Sequence, residues 1–226
     1  MAKTFSIAID GPAGAGKSTI ARRLAKDLGF YYVDTGAIYR TVAYFMDILG
    51  ISPKDVDGVE RYIDELTVNI EYDEDGLQHM IMNGMDVTGE IRTQDISQKA
   101  SLVSAHAVVR EALLDMQRDV AKAYNVIMDG RDIGTVVLPK ADVKIFLTAS
   151  AEVRAKRRTD ELLAKGQKAE YETVLKEIIQ RDFQDTHRPI APLKMAKESV
   201  KVDTSDMTID EVVDTIREIV RKKIGS

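Results

Sequence analysis

Eight residues near the start of the chain, Gly11-Pro12-Ala13-Gly14-Ala15-Gly16-Lys17-Ser18, restrict its fold more than any other stretch. They satisfy G-x-x-x-x-G-K-[ST], the spacing of a phosphate-binding loop. Such a loop works only when a buried strand leads into it and a helix leaves from it. Backbone N–H groups and the helix N-terminus then converge on phosphate oxygens. The flanks fit. Residues 5–10 are apolar up to Asp10 and read as the strand, and residues 18–28 carry Ile20, Ala21, Leu24 and Leu28 on one helical face. Gly29 stands where a helix C-cap glycine belongs. A tight turn with no ligand would account for the glycines but not for Lys17 followed by Ser18. In a phosphate loop Lys17 reaches the β- and γ-phosphates and the Ser18 hydroxyl ligates Mg²⁺. The expected ATP-binding set is Gly11, Pro12, Ala13, Gly14, Ala15, Gly16, Lys17, Ser18 and Thr19.

The rest of the chain alternates in a way that suits such a loop. Residues 30–33 read as a short strand ended by Asp34-Thr35-Gly36, and a helix is expected over 37–49. From about residue 59 to 89 the pattern changes. The β-rich runs 67–72 and 77–82 flank Asp73-Glu74-Asp75-Gly76, and Asn83-Gly84 turns the chain into a third short run at 85–87. This predicts a small antiparallel insertion. Helices follow over 93–104 and 108–123, and core strands over 125–128 and 143–147. A charged helix spans 151–165, Gly166-Gln167-Lys168 breaks it, and helical spacing resumes over 171–183. A strand at 200–202 and a capping box, Thr208-Ile209-Asp210-Glu211, lead into a terminal helix with a basic end. The expected class is α/β, a mostly parallel P-loop sheet flanked by helices, with an antiparallel insertion.

Composition narrows the function. Hydrophobic residues make up 44% of 226, enough for one sizeable core, and the net charge of −5 argues against a surface that coats nucleic acid. With no cysteine, disulfides, thiol catalysis and cysteine-zinc sites are excluded. The three histidines, His79, His106 and His187, are scattered and form no metal-ligand spacing. No window approaches the roughly 18–20 apolar residues that span a bilayer, and the first apolar run is too short for a secretory signal. A soluble, cytoplasmic protein is expected. Neither a heptad nor a long exposed apolar stretch is evident, so a monomer is expected.

A phosphate loop leaves three outcomes open: a small-molecule kinase, a nucleotide-dependent switch and an ATP-driven machine. The guanine-reading string Asn-Lys-x-Asp does not occur. Residues 126–129 end in Asp129, which serves equally as a carboxylate near Mg²⁺ or as a strand end opening a turn. Arginines favour a kinase. Arg154, Arg157 and Arg158 lie on one predicted helix, and Arg181 and Arg188 follow. Transfer of a phosphoryl group between two anions needs charge neutralised on both, and the planar guanidinium binds phosphate through two bonds. A solvated helix paired internally with Glu152, Asp160 and Glu161 remains open for any one of the first three arginines.

Four further strings complete a pattern. They are Asp34-Thr35-Gly36-Ala37-Ile38-Tyr39-Arg40, Gly89-Glu90-Ile91-Arg92-Thr93, residues 129–137 (Asp-Gly-Arg-Asp-Ile-Gly-Thr-Val-Val), and Arg188-Pro189-Ile190-Ala191-Pro192-Leu193. With the phosphate loop, they resemble the bacterial cytidylate kinases over essentially the whole chain. The resemblance implies a core from 1–36, 104–150 and 186–226, an NMP-binding region over 37–103, and a helical lid over 151–185. It implies that Thr35, Arg40, Arg131 and Arg188 gather at the acceptor phosphate of CMP or dCMP. It also implies that Ser101, Arg110 and Asp132 read cytosine and that Arg181 and Asp185 bind ribose. Lys17, Arg131, Arg154, Arg157 and Arg158 become the candidate catalytic residues, with Ser18 holding Mg²⁺ alongside ATP. Cytosine offers an N4 donor beside N3 and O2 acceptors, which one carboxylate and one guanidinium complement. Kinases of UMP, AMP or shikimate type on the same scaffold stay open. One departure stands out: Ala13 occupies a position where relatives often carry serine, which removes one hydroxyl contact.

Overall fold

The computed structural model describes residues 4–224. The first strand, β1 (Ser6–Asp10), carries a burial pattern set by two hydrophobic layers. Ile7 and Ile9 face one layer and Ala8 the other, and on β6 (Val126–Gly130) Ile127 opposes Val126 and Met128 in the same way. Alternating residues buried on both faces are what a sheet covered on both sides requires. The strand order is β2 (Tyr31–Asp34), β6, β1, β7 (Val143–Thr148) and β8 (Val200–Asp203), all parallel. The five predicted core strands are therefore present.

Helices α1 (Lys17–Leu28) and α8 (Ile209–Ile224) pack on one face, burying Ile20, Leu24, Val213 and Ile216 against Ile7 and Ile145. The capping box predicted for α8 is formed: Thr208 N–H donates to Glu211 Oε2 at 2.8 Å, and Glu211 N–H donates to Thr208 Oγ1 at 3.3 Å. The C-cap is formed as well, with Gly29 left-handed at φ 65°. On the other face lie α2 (Thr35–Ile48), α4 (Gln94–Val103) and α5 (Ala107–Ala123).

The insertion is a three-stranded antiparallel sheet of β3 (Val68–Tyr72), β4 (Gln78–Met82) and β5 (Met85–Asp86). Its approach corrects the sequence reading, which began the insertion near residue 59. Residues before β3 form a helix, α3 (Val56–Tyr62), and a 3-10 turn, Ile63–Glu65. Asp55 caps α3 by accepting from Gly58 N–H at 3.0 Å, and buried Val59 anchors it. The charged helix α6 (Ala151–Ala164) and α7 (Tyr171–His187) form a separate small layer around Ala155, Leu162, Val174 and Ile178. Helix α7 runs one turn beyond its predicted end. No described helix is long and apolar enough to cross a membrane.

Candidate active site

The phosphate loop leaves β1 at Gly11, where a Cβ would sit 1.9 Å from the carbonyl oxygen of Leu147 on β7. Only glycine permits that approach. Beyond the loop, Ser18 Oγ donates to Asp129 Oδ2 at 3.0 Å, and Tyr32 Oη donates to Asp129 Oδ1 at 3.0 Å. Residues 111 positions apart thus meet where α1 begins and β6 nears its end. Burial pushes its carboxyl up, with nearby Asp34 adding to the shift, while Lys17 and the two hydroxyls oppose it. Lys17 Nζ donates to Pro12 O at 2.7 Å, and burial pulls its pKa well below the lysine range, aided by Arg131.

The nine residues assigned to CMP by resemblance come together. Thr35, Arg40, Ser101, Arg110, Arg131, Asp132, Arg181, Asp185 and Arg188 all line one solvent-open cleft. Local structure explains their placement. Asp34 caps α2 by accepting from Ala37 N–H at 2.9 Å, and its second oxygen accepts from Arg40 at 2.9 Å. Thr35 Oγ1 donates to Asp129 O at 2.7 Å. Asp132 is 3% exposed and pairs with Arg110, which also stacks over Tyr39 at 5.3 Å, and it accepts from Arg188 at 3.5 Å. Asp185 pairs with Arg131 at 2.8 Å, not with Arg181, its neighbour four residues back. Burial pulls the Arg181 guanidinium down to about 10, with Arg131 adding like-charge repulsion. The Nε groups of Arg40 and Arg181 are buried without a hydrogen-bond partner among the described residues.

The three arginines of α6 diverge. Arg154 is buried and ties the phosphate loop down: its guanidinium donates to Ala13 O at 3.0 Å, Ala149 O at 2.9 Å and both Asp182 oxygens. Arg157 donates to the Thr204 backbone and hydroxyl at 2.6 and 3.1 Å. Arg158 pairs with Glu161 at 2.9 Å on an exposed surface. Ala13 offers only its carbonyl to this network. His79 bridges Asp73 and Asp86 at the surface of the insertion, and no described cluster of three or more His, Cys, Asp or Glu could hold a metal.

Sequence reasoning missed Asp10, whose position at the end of a buried strand before Gly11 was the available signal. Its two oxygens accept the N–H groups of Ile133 and Gly134 at 2.7 Å each. That clasp opens the π-helical turn Ile133–Val137 and so aims Arg131 and Asp132 at the cleft. Burial lifts Asp10 to about 6 against those two hydrogen bonds, from an ordinary aspartate value. A folded pKa above the unfolded one stabilises the fold fully below the unfolded value and loses that contribution as pH rises through the folded one. From about pH 4 to 6 the fold should therefore lose roughly 2–3 kcal/mol through this group. Urea titrations should show a flatter loss over that interval in Asp10→Asn than in wild type. Equal slopes would contradict the assignment.

A phosphate loop whose serine meets a buried carboxylate, beside a cleft rich in arginine, defines a P-loop kinase. Similarity to known proteins specifies which kind. A family model described as cytidylate kinase matches residues 7–222. The cytidylate kinase of Shouchella clausii is 47% identical over 98% of this chain and 98% of its own. That of Carboxydothermus hydrogenoformans is 49% identical over 96% and 97%. The chain belongs to the cytidylate kinase family. A crystal structure of an uncharacterized protein from Eubacterium ventriosum shares the fold, with a TM-score of 0.51 at 14% identity, covering 97% of this chain and 99% of that one.

Proposed function

We propose that the protein transfers the γ-phosphoryl group of ATP to CMP, giving ADP and CDP, with dCMP as a second acceptor. The observation that carries this reading is Asp132, a buried carboxylate held between Arg110 and Arg188 on the wall of the cleft. A carboxylate accepts from the N4 amino group of cytosine and a guanidinium donates to N3 and O2. Uracil presents an acceptor at the position of N4 and would meet Asp132 unpaired. Arg40, Arg131 and Arg188 supply the positive charge that an acceptor phosphate requires, and Arg181 supplies donors for ribose hydroxyls. Ser101 completes the base side and Thr35 the phosphate side.

The phosphate loop, residues 11–19, would cradle the donor. Ser18 and Asp129 present hard oxygens at 3.0 Å, a donor pair that suits Mg²⁺ shared with ATP phosphates. Bound there, the ion would neutralise charge on the β- and γ-phosphates. No protein nucleophile is required, because the acceptor is already an ionised phosphate oxygen. The enzyme's contribution is positioning and charge stabilisation. Residues 151–185 would act as the lid. Arg154 holds the loop, and closure would bring Arg157 and Arg158 from their present partners to the transferring group.

ADP release measured with CMP, dCMP, UMP and AMP tests the reading. CMP and dCMP should stimulate ADP release far more than UMP or AMP. No stimulation by CMP above ATP hydrolysis alone would overturn it.

A further inference from the structure

Strand β2 lies at the edge of the parallel sheet, so the peptide groups on its outer side lack a strand to pair with. Alternate residues of a strand present N–H and C=O to the same edge. Tyr32 and Asp34 present theirs outward, and the antiparallel insertion covers both. Gln78 Oε1 accepts from Asp34 N–H at 2.7 Å, and Gln78 Nε2 donates to Asp34 O at 3.4 Å. Tyr72 Oη donates to Tyr32 O at 3.0 Å, and its ring packs on Tyr31 with centroids 4.7 Å apart. A carboxamide and a phenol thus stand in for a missing strand.

The side chains of the same two β2 residues lead to the site. Tyr32 reaches Asp129, the partner of Ser18, and Asp34 holds Arg40 and the first turn of α2. The insertion therefore grips the backbone at the points from which both functional arms depart. We propose that the insertion braces the acceptor site and that Gln78 is its positioning residue, fixing Arg40 through the Asp34 peptide and carboxylate. This rests on the reading of Arg40 as an acceptor-phosphate ligand. Gln78 has no place in the strings that carry the family resemblance, and its side-chain hydrogen bonds go to Asp34 and Met80, neither of which is assigned to substrate.

Gln78→Leu removes both hydrogen bonds to Asp34, along with the one from Gln78 Nε2 to Met80 Sδ within the insertion, at similar volume. Loss of one such positioning link is expected to raise KM for CMP about tenfold, with KM for ATP changed less than about twofold. In an Arg40→Ala background the same substitution should add less than about twofold, because its route to the phosphate is gone. Amide exchange over residues 34–40 should accelerate about tenfold while α8 is unchanged. Unaltered exchange at 34–40, equal rises in both KM values, or a full effect in the Arg40→Ala background would each overturn the brace. If the leucine variant fails to fold, Gln78→Asn keeps the amide one methylene short of Asp34 and should give the same split. The exchange arm needs no acceptor. A wild-type enzyme inactive on CMP, with accelerated exchange in Gln78→Leu, would remove CMP and support the brace.

Discussion

Replacing Arg131 with alanine is expected to lower turnover with CMP about 10³-fold, the scale set by losing one fixed donor to a transferring phosphoryl group. Arg131 leaves the end of β6 directly beside the Asp10 clasp. Burial works against its charge, but Asp185, Asp129 and Asp10 overcome that and hold its pKa above the ordinary arginine value. The guanidinium is thus charged, fixed and aimed into the cleft before any substrate arrives. Its bond to Asp185, whose side chain is 7% exposed, adds a second consequence. Alanine leaves that carboxylate without its main counter-charge, and unfolding free energy should fall by about 3 kcal/mol. Arg131→Lys separates the two effects. An ammonium restores the charge beside Asp185 but cannot bind phosphate through a planar fork, so stability should largely return while turnover stays about 10²-fold low. Urea unfolding and ADP-release kinetics on both variants check this. A folded Arg131→Ala protein with wild-type kinetics would remove Arg131 from the site.

Which residues were legible in the sequence depends on how far apart their partners lie. The phosphate loop, the Gly29 cap and the Thr208 capping box are local devices, and each is found where its spacing put it. Helix α3 is short, contains Gly58 and buries only Val59, so it has no apolar stripe for periodicity to detect. Asp10, Tyr32 and Gln78 look ordinary in sequence because their partners lie elsewhere: 123 and 124 residues away for Asp10, 97 for Tyr32, and 44 for Gln78, which meets Asp34. The arginines of α6 show the converse. Sequence grouped Arg154, Arg157 and Arg158 as one cationic set, and steps of three and four do keep them on one side of α6. Their long side chains nevertheless end on different partners: Ala13 and Asp182, Thr204, and Glu161. Only Arg154 reaches the phosphate loop directly, through the carbonyl of Ala13. Spacing placed three cations on one helix and left their direction to tertiary packing.

The base side of the cleft carries the second large effect. Asp132→Asn should reduce kcat/KM for CMP by about 10²–10³-fold and sharply narrow the preference for CMP over UMP. Asp132 is buried and held by two arginines, so it enters the cleft as an acceptor with its charge already balanced. Asparagine has nearly the same shape but one oxygen where there were two. If that oxygen stays with Arg110, the amide nitrogen faces the base and repels N4, whereas uracil O4 can accept from it. The substitution also leaves Arg110 and Arg188 with less negative charge between them. Burial and Arg110 already pull the Arg188 guanidinium down. Without that anchor Arg188 is less well aimed at the acceptor phosphate, so the loss with CMP exceeds a single hydrogen bond, while UMP gains a donor to O4 and loses less. Parallel measurement of kcat/KM for both nucleotides gives the ratio directly. An unchanged CMP-to-UMP ratio in a folded Asp132→Asn enzyme would mean that this carboxylate organises arginines and does not read the base.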